Sequence, residues 1–409
     1  MEQTDFKVYP YRWIVLLVFM FVVAINQLLW ITFAPVTSSA AEHFGVSDLG
    51  IGLLSMSFMI VYLFVSFPAS WVIDTYGIRV AVGIGAVLTG IFGLMRGLTA
   101  SDYTLVLISQ IGIAIGQPFI LNAITKVAAR WFPINERATA SGLGTLAIYL
   151  GIFLGLALTP YLTIRTGIGG MLVIYGIVSV VAAFVFFVAA REHPPTPPCP
   201  PEQEERSLVL EGFKQILHKK DFIFLMLIFF VGLGVFNGVT TWIENIVNPR
   251  GFSITQAGIV GGMMIAGGLI GAVVVPLLSD RYRKRTPFIS LALAGAIIGL
   301  AGITCAKSYG LLLASAFILG LFLLSAGPVG FQYGAEVTYP APEGASNGLL
   351  ILMGQISGIL FIFGMDIFKS RETGSMTTSL VVLTVLIVIS LLLSTRLKES
   401  ALIMENRND

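Results

Sequence analysis

Charge is what this sequence has least of. Asp, Glu, Lys and Arg make up 11% of its 409 residues, against roughly a quarter in soluble domains. A soluble fold of this length needs far more polar surface to stay dispersed. That excludes a soluble enzyme and a nucleic-acid-binding domain. Histidine is nearly absent: His43, His193 and His218 are the only three, and none sits inside a long apolar run. The apolar runs hold no H-x-x-H and no paired aspartates. Neither an intramembrane enzyme nor a metal or other cofactor is therefore expected. The two cysteines, Cys199 and Cys305, suggest neither a disulfide framework nor a thiolate metal site. No G-x-x-x-x-G-K-[ST] is present, which excludes an ATP-driven pump. The N-terminus MEQTDFKVYP has no basic n-region and no small-residue cleavage site. The first apolar run is thus expected to be a retained span, not a signal peptide.

Apolar residues are abundant: 56% of the chain is hydrophobic, with 44 glycines and a mean hydropathy of +0.90. A transmembrane helix takes roughly 20 apolar residues, and small residues let such helices pack closely. Twelve apolar runs are present, at 13–38, 49–72, 78–98, 103–128, 138–160, 169–190, 222–247, 256–278, 287–305, 309–334, 345–367 and 377–395. They read as helices, because a helix satisfies its backbone polar groups internally; a barrel would show short alternating segments. The expected fold is an all-α membrane protein of two six-helix bundles, 1–190 and 222–409. The linker 191–221 between them carries six prolines between Pro194 and Pro201, which cannot continue a helix. After them, LVLEGFKQILHKK suits a short amphipathic surface helix. A monomer in a lipid bilayer is expected.

With twelve spans, both termini lie on one side. Arg96, Arg165, Arg250, Lys307, Lys369 and Arg371 fall on the other, leaving 18 of the 24 Lys and Arg with the termini. The positive-inside rule places the termini and linker in the cytoplasm, with the plasma membrane as the expected location. SWVIDTYGIRVA, between spans 2 and 3, has a counterpart in PLLSDRYRKRTP between spans 8 and 9. Each puts an acid at a helix end and basic residues just after it. Two related six-helix halves are a transporter architecture.

Asp74, Gly77 and Arg79, with Asp280, Arg281, Arg283 and Lys284, resemble the loop motif G-x-L-x-D-x-x-G-R-R/K of the major facilitator superfamily. The first copy is partial: the leading glycine and one basic residue are missing. Three longer stretches, WITFAPVTSSAAEHFGVS, KVAARWFPINERATASGLG and GFQYGAEVTYPAPEGASNGLL, resemble the feline leukaemia virus subgroup C receptor family, also called solute carrier family 49. The chain is similar to a prokaryotic-like relative with shorter tails than the animal members. The resemblance implies the major facilitator fold and a carrier of small organic solutes. Family members are associated with choline and ethanolamine, haem, or a vitamin B6 form, and the choline carriers act as facilitators. Their choline pattern implies a Trp on span 1, a Gln on span 5, a Tyr on span 7 and a Gln on span 11. Trp30 and Gln355 match it; Tyr149 and Asn237 stand at the other two places.

A polar side chain at mid-bilayer is costly unless it faces a cavity or a partner. The expected substrate contacts are Asn26 and Trp30 on span 1, Gln117 and Asn122 on span 4, and Tyr149 on span 5. Phe236, Asn237 and Trp242 on span 7 and Gln355 on span 11 complete the set. Aromatic faces suit a quaternary ammonium, and amides suit a hydroxyl or amine. Asn26 and Asn122 are equally suited to bonding between helices. The expected cytoplasmic gate uses Asp74, Arg79, Glu136 and Arg137 in one half and Asp280, Arg281, Glu336 and Glu343 in the other. Glu244 and Asp366 lie towards the external ends of spans 7 and 11, as candidates for coupling or for a vestibule. No acid lies at the centre of spans 1, 4, 5, 8 or 10, which favours a uniporter for a choline- or ethanolamine-like amine. A proton-coupled carrier of haem, a vitamin or an organic anion stays open. So does a non-transporting receptor or scaffold, although no loop is large.

Overall fold

The computed structural model describes residues 8–196, 216–339, 341 and 343–400, without the side chains of Ile134, Asn135 and Glu343. Cys199 and nearly all of the amphipathic segment expected before span 7 lie outside the described residues. Every regular element among the described residues is helical. The chain forms two compact units, Met1–Arg206 and Ser207–Asp409.

The first unit contains α1 (Arg12–Ile31), α2 (Thr37–Phe44), α3 (Asp48–Tyr76), α4 (Ile78–Leu98), α5 (Tyr103–Leu121), α6 (Ile124–Trp131) and α7 (Ile134–Ala189). The second contains α8 (Lys220–Thr241), α9 (Ile243–Val247), α10 (Ile254–Tyr282), α11 (Thr286–Cys305), α12 (Tyr309–Thr338), α13 (Glu343–Ile367) and α14 (Thr377–Ser394). Among the described residues eleven helices are long and apolar enough to cross a bilayer. One of them, α7, has 56 residues, or about 84 Å of helix against about 30 Å of hydrocarbon. It turns at Gly167 (φ 72°, ψ 174°), a backbone conformation that glycine alone adopts cheaply. The residues on either side, 134–166 and 168–189, are two crossings, which makes twelve.

Three apolar runs are not single helices. Run 13–38 breaks after Ile31, where Ala34–Val36 forms a 3₁₀ turn around Pro35. Run 103–128 breaks at Asn122–Ala123, four residues past Pro118, which lacks an amide proton. Run 222–247 breaks at Trp242 (φ −96°, ψ 21°).

Glycines let the main helices approach. A Cβ on Gly151 would collide with the Ala24 carbonyl, which sets α7 against α1; Gly155 meets Leu28 and Ile31 one turn on. In the second unit Gly234 and Gly238 on α8 face Phe361 and Met365 of α13. Such small-residue seams replace the hydrophobic drive that lipid removes.

Several bonds recur in both units. Ser47 caps α3 and Ser253 caps α10. Tyr103 Oη donates to Gly50 O (2.6 Å) and Tyr309 Oη to Gln256 O (3.3 Å). Glu192 accepts from the amides of Ile78 (3.0 Å) and Arg79 (2.7 Å) at the start of α4. Glu399 accepts from Arg285 N (3.0 Å) and Thr286 N (3.0 Å) at the start of α11. At the other ends, a His43 ring nitrogen meets Ala100 O (2.8 Å), and Arg250 donates to the carbonyls of Ile303, Thr304 and Ala306. The third crossing of each unit is thus held at both termini.

Candidate functional site

In the first unit the expected contacts divide by what already occupies them. Asn26 is fully buried and donates to Thr89 Oγ1 of α4 (3.1 Å), while Gln27 donates to Asn26 Oδ1 (3.3 Å). Asn122 accepts from Tyr62 Oη (2.7 Å) and donates to Ser66 Oγ and Ser70 Oγ (3.0 Å each). Both amides tie helices together in this conformation. Trp30 stands on the last turn of α1 and donates its indole N–H to Ser55 O of α3 (3.3 Å). One edge of the ring is fixed by that bond, and the side chain as a whole is buried. Gln117 is buried and Tyr149 is half-buried, and neither has a hydrogen-bond partner among the described residues. Trp30 and Tyr149 share the α1–α7 helix pair, which the glycine seam draws together.

In the second unit Asn237 Nδ2 donates to Gly354 O (3.2 Å). That bond joins α8 to α13 one residue before Gln355. Gln355 is the next residue along α13 and is half-buried, with no hydrogen-bond partner among the described residues. Trp242 is fully buried and donates to Ile362 O (2.9 Å), so it packs α8 on α13. Phe236 is also buried, between the two seam glycines. Glu244 lies fully buried in α9 and accepts from Asn248 Nδ2 (3.2 Å). Asp366 is half-buried in the last turn of α13.

The charged loops pair differently from expectation. Asp74 pairs with Lys126 (3.0 Å) and Glu136 with Arg12 (3.0 Å). Arg79 has an exposed side chain, and its backbone amide meets Glu192. Arg137 donates to the carbonyls of Phe132 (3.3 Å) and Ala129 (3.2 Å). In the second unit the hub is Arg285. It pairs with Asp280 and with Glu336 (3.1 Å), and Gln332 also donates to Glu336 (2.9 Å). Arg281 is exposed, and Glu343 has its side chain outside the described set. Because the amides of Arg79 and Arg285 both meet a capping glutamate, Arg285 and not Arg281 is the counterpart of Arg79. Burial by itself would lower the guanidinium pKa of Arg285, but the bond to Asp280 and the charge of Glu336 more than offset it and raise it above the ordinary value.

Lys126, Arg12, Arg285, Glu192 and Glu399 were not among the expected gate residues. A signal for the two glutamates was present: Arg191–Glu192 and Lys398–Glu399 each follow the last apolar run of a half.

Residues 19–362 match the Major Facilitator Superfamily. The chain is 33% identical over 379 residues to solute carrier family 49 member A3 of Xenopus tropicalis, covering 88% of this chain and 78% of that one. It is 28% identical over 389 residues to the choline/ethanolamine transporter FLVCR1 of Mus terricolor, covering 86% and 69%. A bacterial homologue of the lysosomal transporter Spinster, solved inward-facing and unoccupied, has the same fold. Its TM-score is 0.78 at 18% identity, with 96% of this chain and 98% of that chain covered.

Proposed function

The chain belongs to the major facilitator superfamily, in its solute carrier family 49 branch, and from that premise we propose that it is a uniporter for a small choline- or ethanolamine-like amine. It works by alternating access in the plasma membrane, with both termini cytoplasmic. Its relatives and fold neighbours are transporters, not enzymes. The contacts assigned to the substrate are Trp30, Gln117 and Tyr149 in the first bundle and Asn237 and Gln355 in the second. Asn26, Asn122 and Trp242 support them by packing.

The observation that carries this reading is the chemistry of the polar groups inside the helices that have no hydrogen-bond partner among the described residues. Gln117, Tyr149 and Gln355 offer neutral donors and acceptors, and Trp30 offers an aromatic face. Neutral amides and a phenol can hold a hydroxyl or amine without adding a charge of their own. An indole face attracts an ammonium, by about 2 kcal/mol or more when desolvated. The family pattern has a Gln on span 5 and a Tyr on span 7. Here Tyr149 and Asn237 hold those places, so amide and aromatic are exchanged between the bundles and both kinds of contact persist.

A thermal-shift screen of the purified protein with choline, ethanolamine, pyridoxine, haem and small carboxylates tests the substrate class. Stabilisation by the amines supports it; stabilisation by carboxylates alone sinks it. One observation favours a second reading. Glu244 is a fully buried carboxylate on α9, a suitable proton carrier. Uptake into proteoliposomes that requires a pH gradient, and loses that requirement in Glu244→Gln, would replace the uniporter with a proton-coupled carrier.

A further inference from the structure

Arg96 carries a charge that neither the substrate reading nor the gate uses. It lies near the end of α4 and is completely buried. Nη1 donates to Leu29 O (3.0 Å) and Gln110 Oε1 (2.6 Å), and Nη2 to Thr32 Oγ1 (3.3 Å). The guanidinium lies 5.4 Å from the centre of the Phe33 ring. Nε has no hydrogen-bond partner among the described residues. No carboxylate reaches salt-bridge distance among the described residues.

A buried ion without a counter-ion costs several kcal/mol unless its surroundings supply opposite potential. Here the potential comes from a broken helix. α1 stops at Ile31, so its last four carbonyls have no partner within the helix. The end of a helix carries about half a negative charge. Arg96 takes the Leu29 carbonyl, and Thr32 Oγ1 takes the Leu28 carbonyl (2.9 Å). Both anchors bear on the last turn of α1, and that turn carries Trp30. The indole edge is fixed to Ser55 and the backbone beneath it is fixed by Arg96.

We propose that Arg96 is a positioning residue for Trp30, holding the broken end of α1 by charge and so setting where the indole face stands. Its relevance to transport rests on Trp30 being a substrate contact; the positioning itself does not. The full chain is labelled with 5-fluorotryptophan and its five tryptophan resonances are assigned by single Trp→Phe substitutions. Arg96→Gln should shift or broaden the Trp30 resonance and leave those of Trp13, Trp71, Trp131 and Trp242 in place. Arg96→Lys, which keeps the charge, should restore it in part. The apparent affinity for choline should fall about tenfold at unchanged maximal rate.

A Trp30 resonance that stays put in folded Arg96→Gln protein overturns the proposal, as does an equal shift of all five. If Arg96→Gln does not fold, Thr32→Val decides. It removes the Nη2 acceptor and should move Trp30 alone; no movement overturns the proposal. Carboxylate-induced stabilisation of the wild type that vanishes in Arg96→Gln and persists in Arg96→Lys would instead make Arg96 the counter-ion of an anionic ligand and overturn the proposal. A moved Trp30 resonance in a protein that transports neither choline nor ethanolamine leaves the positioning intact and removes only the substrate class.

Discussion

Asn122 and Gln355 carry the same amide chemistry and do different work. Asn122 is bonded by Tyr62, Ser66 and Ser70 of α3, so its loss is a loss of packing. Asn122→Ala should lower stability by about 1–2 kcal/mol, read as a lower Tm in detergent, with apparent affinity unchanged in the surviving protein. Gln355→Ala should do the reverse. Its amide serves nothing among the described residues, so Tm should hold while apparent affinity falls about tenfold, or ~1.4 kcal/mol. A Gln355→Ala protein with normal uptake and a depressed Tm would remove Gln355 from the substrate contacts. The sequence can show that both amides lie in apolar runs. It cannot show which one has a partner, because the partners of Asn122 are 52 to 60 positions away on another helix. Arg96 was illegible for the same reason. In the sequence it is a basic residue ending an apolar run, and only the break in α1 reveals what neutralises it.

At the scale of elements, the third crossing of each bundle depends on a glutamate from beyond the last crossing. A carboxylate at a helix N-terminus satisfies amides that have no carbonyl to pair with and meets the positive end of the helix dipole. Glu192→Gln and Glu399→Gln should each cost about 0.5–2 kcal/mol. Because the caps share no partner, the double substitution should cost the sum. Thermal unfolding of the three variants checks this, and a strongly sub-additive double would mean the caps communicate. Gly77→Ala should be worse than Glu192→Gln, since its Cβ would collide with the Glu192 carboxylate and its φ of +87° is hostile to a side chain. The helices themselves were legible as runs of apolar residues. Their breaks at Thr32, Asn122 and Trp242 were not legible as hydropathy, which averages over a backbone turn inside apolar surroundings, although Pro35 and Pro118 stand close to the first two. The turn at Gly167 is the exception, since the polar stretch around Arg165 marks it.

For the whole molecule, charge decides both what titrates and which way the chain faces. Arg285 has its guanidinium pKa raised. A raised basic group gives stability that is full below its unfolded value and lost only as pH climbs through the folded one. That window lies far above physiological pH, so Arg285 stays charged throughout a transport assay. With a neutral substrate contact set as well, uptake should vary little over about pH 6 to 8, and a steep profile would point to Glu244. The proposed orientation rests on the bias of Lys and Arg towards the side of the termini, and the two cysteines test it. Cys305 is exposed at the end of α11, which the proposed orientation puts outside. Cys199 lies in the linker, which the same proposal puts in the cytoplasm. A membrane-impermeant maleimide applied to intact cells should label the wild type and Cys199→Ser equally and should fail on Cys305→Ser. After permeabilisation both single variants should label. Labelling of Cys199 alone in intact cells would invert the topology, and with it the outer position given to Glu244 and the cytoplasmic position given to the ion pairs of Asp74 and Arg285.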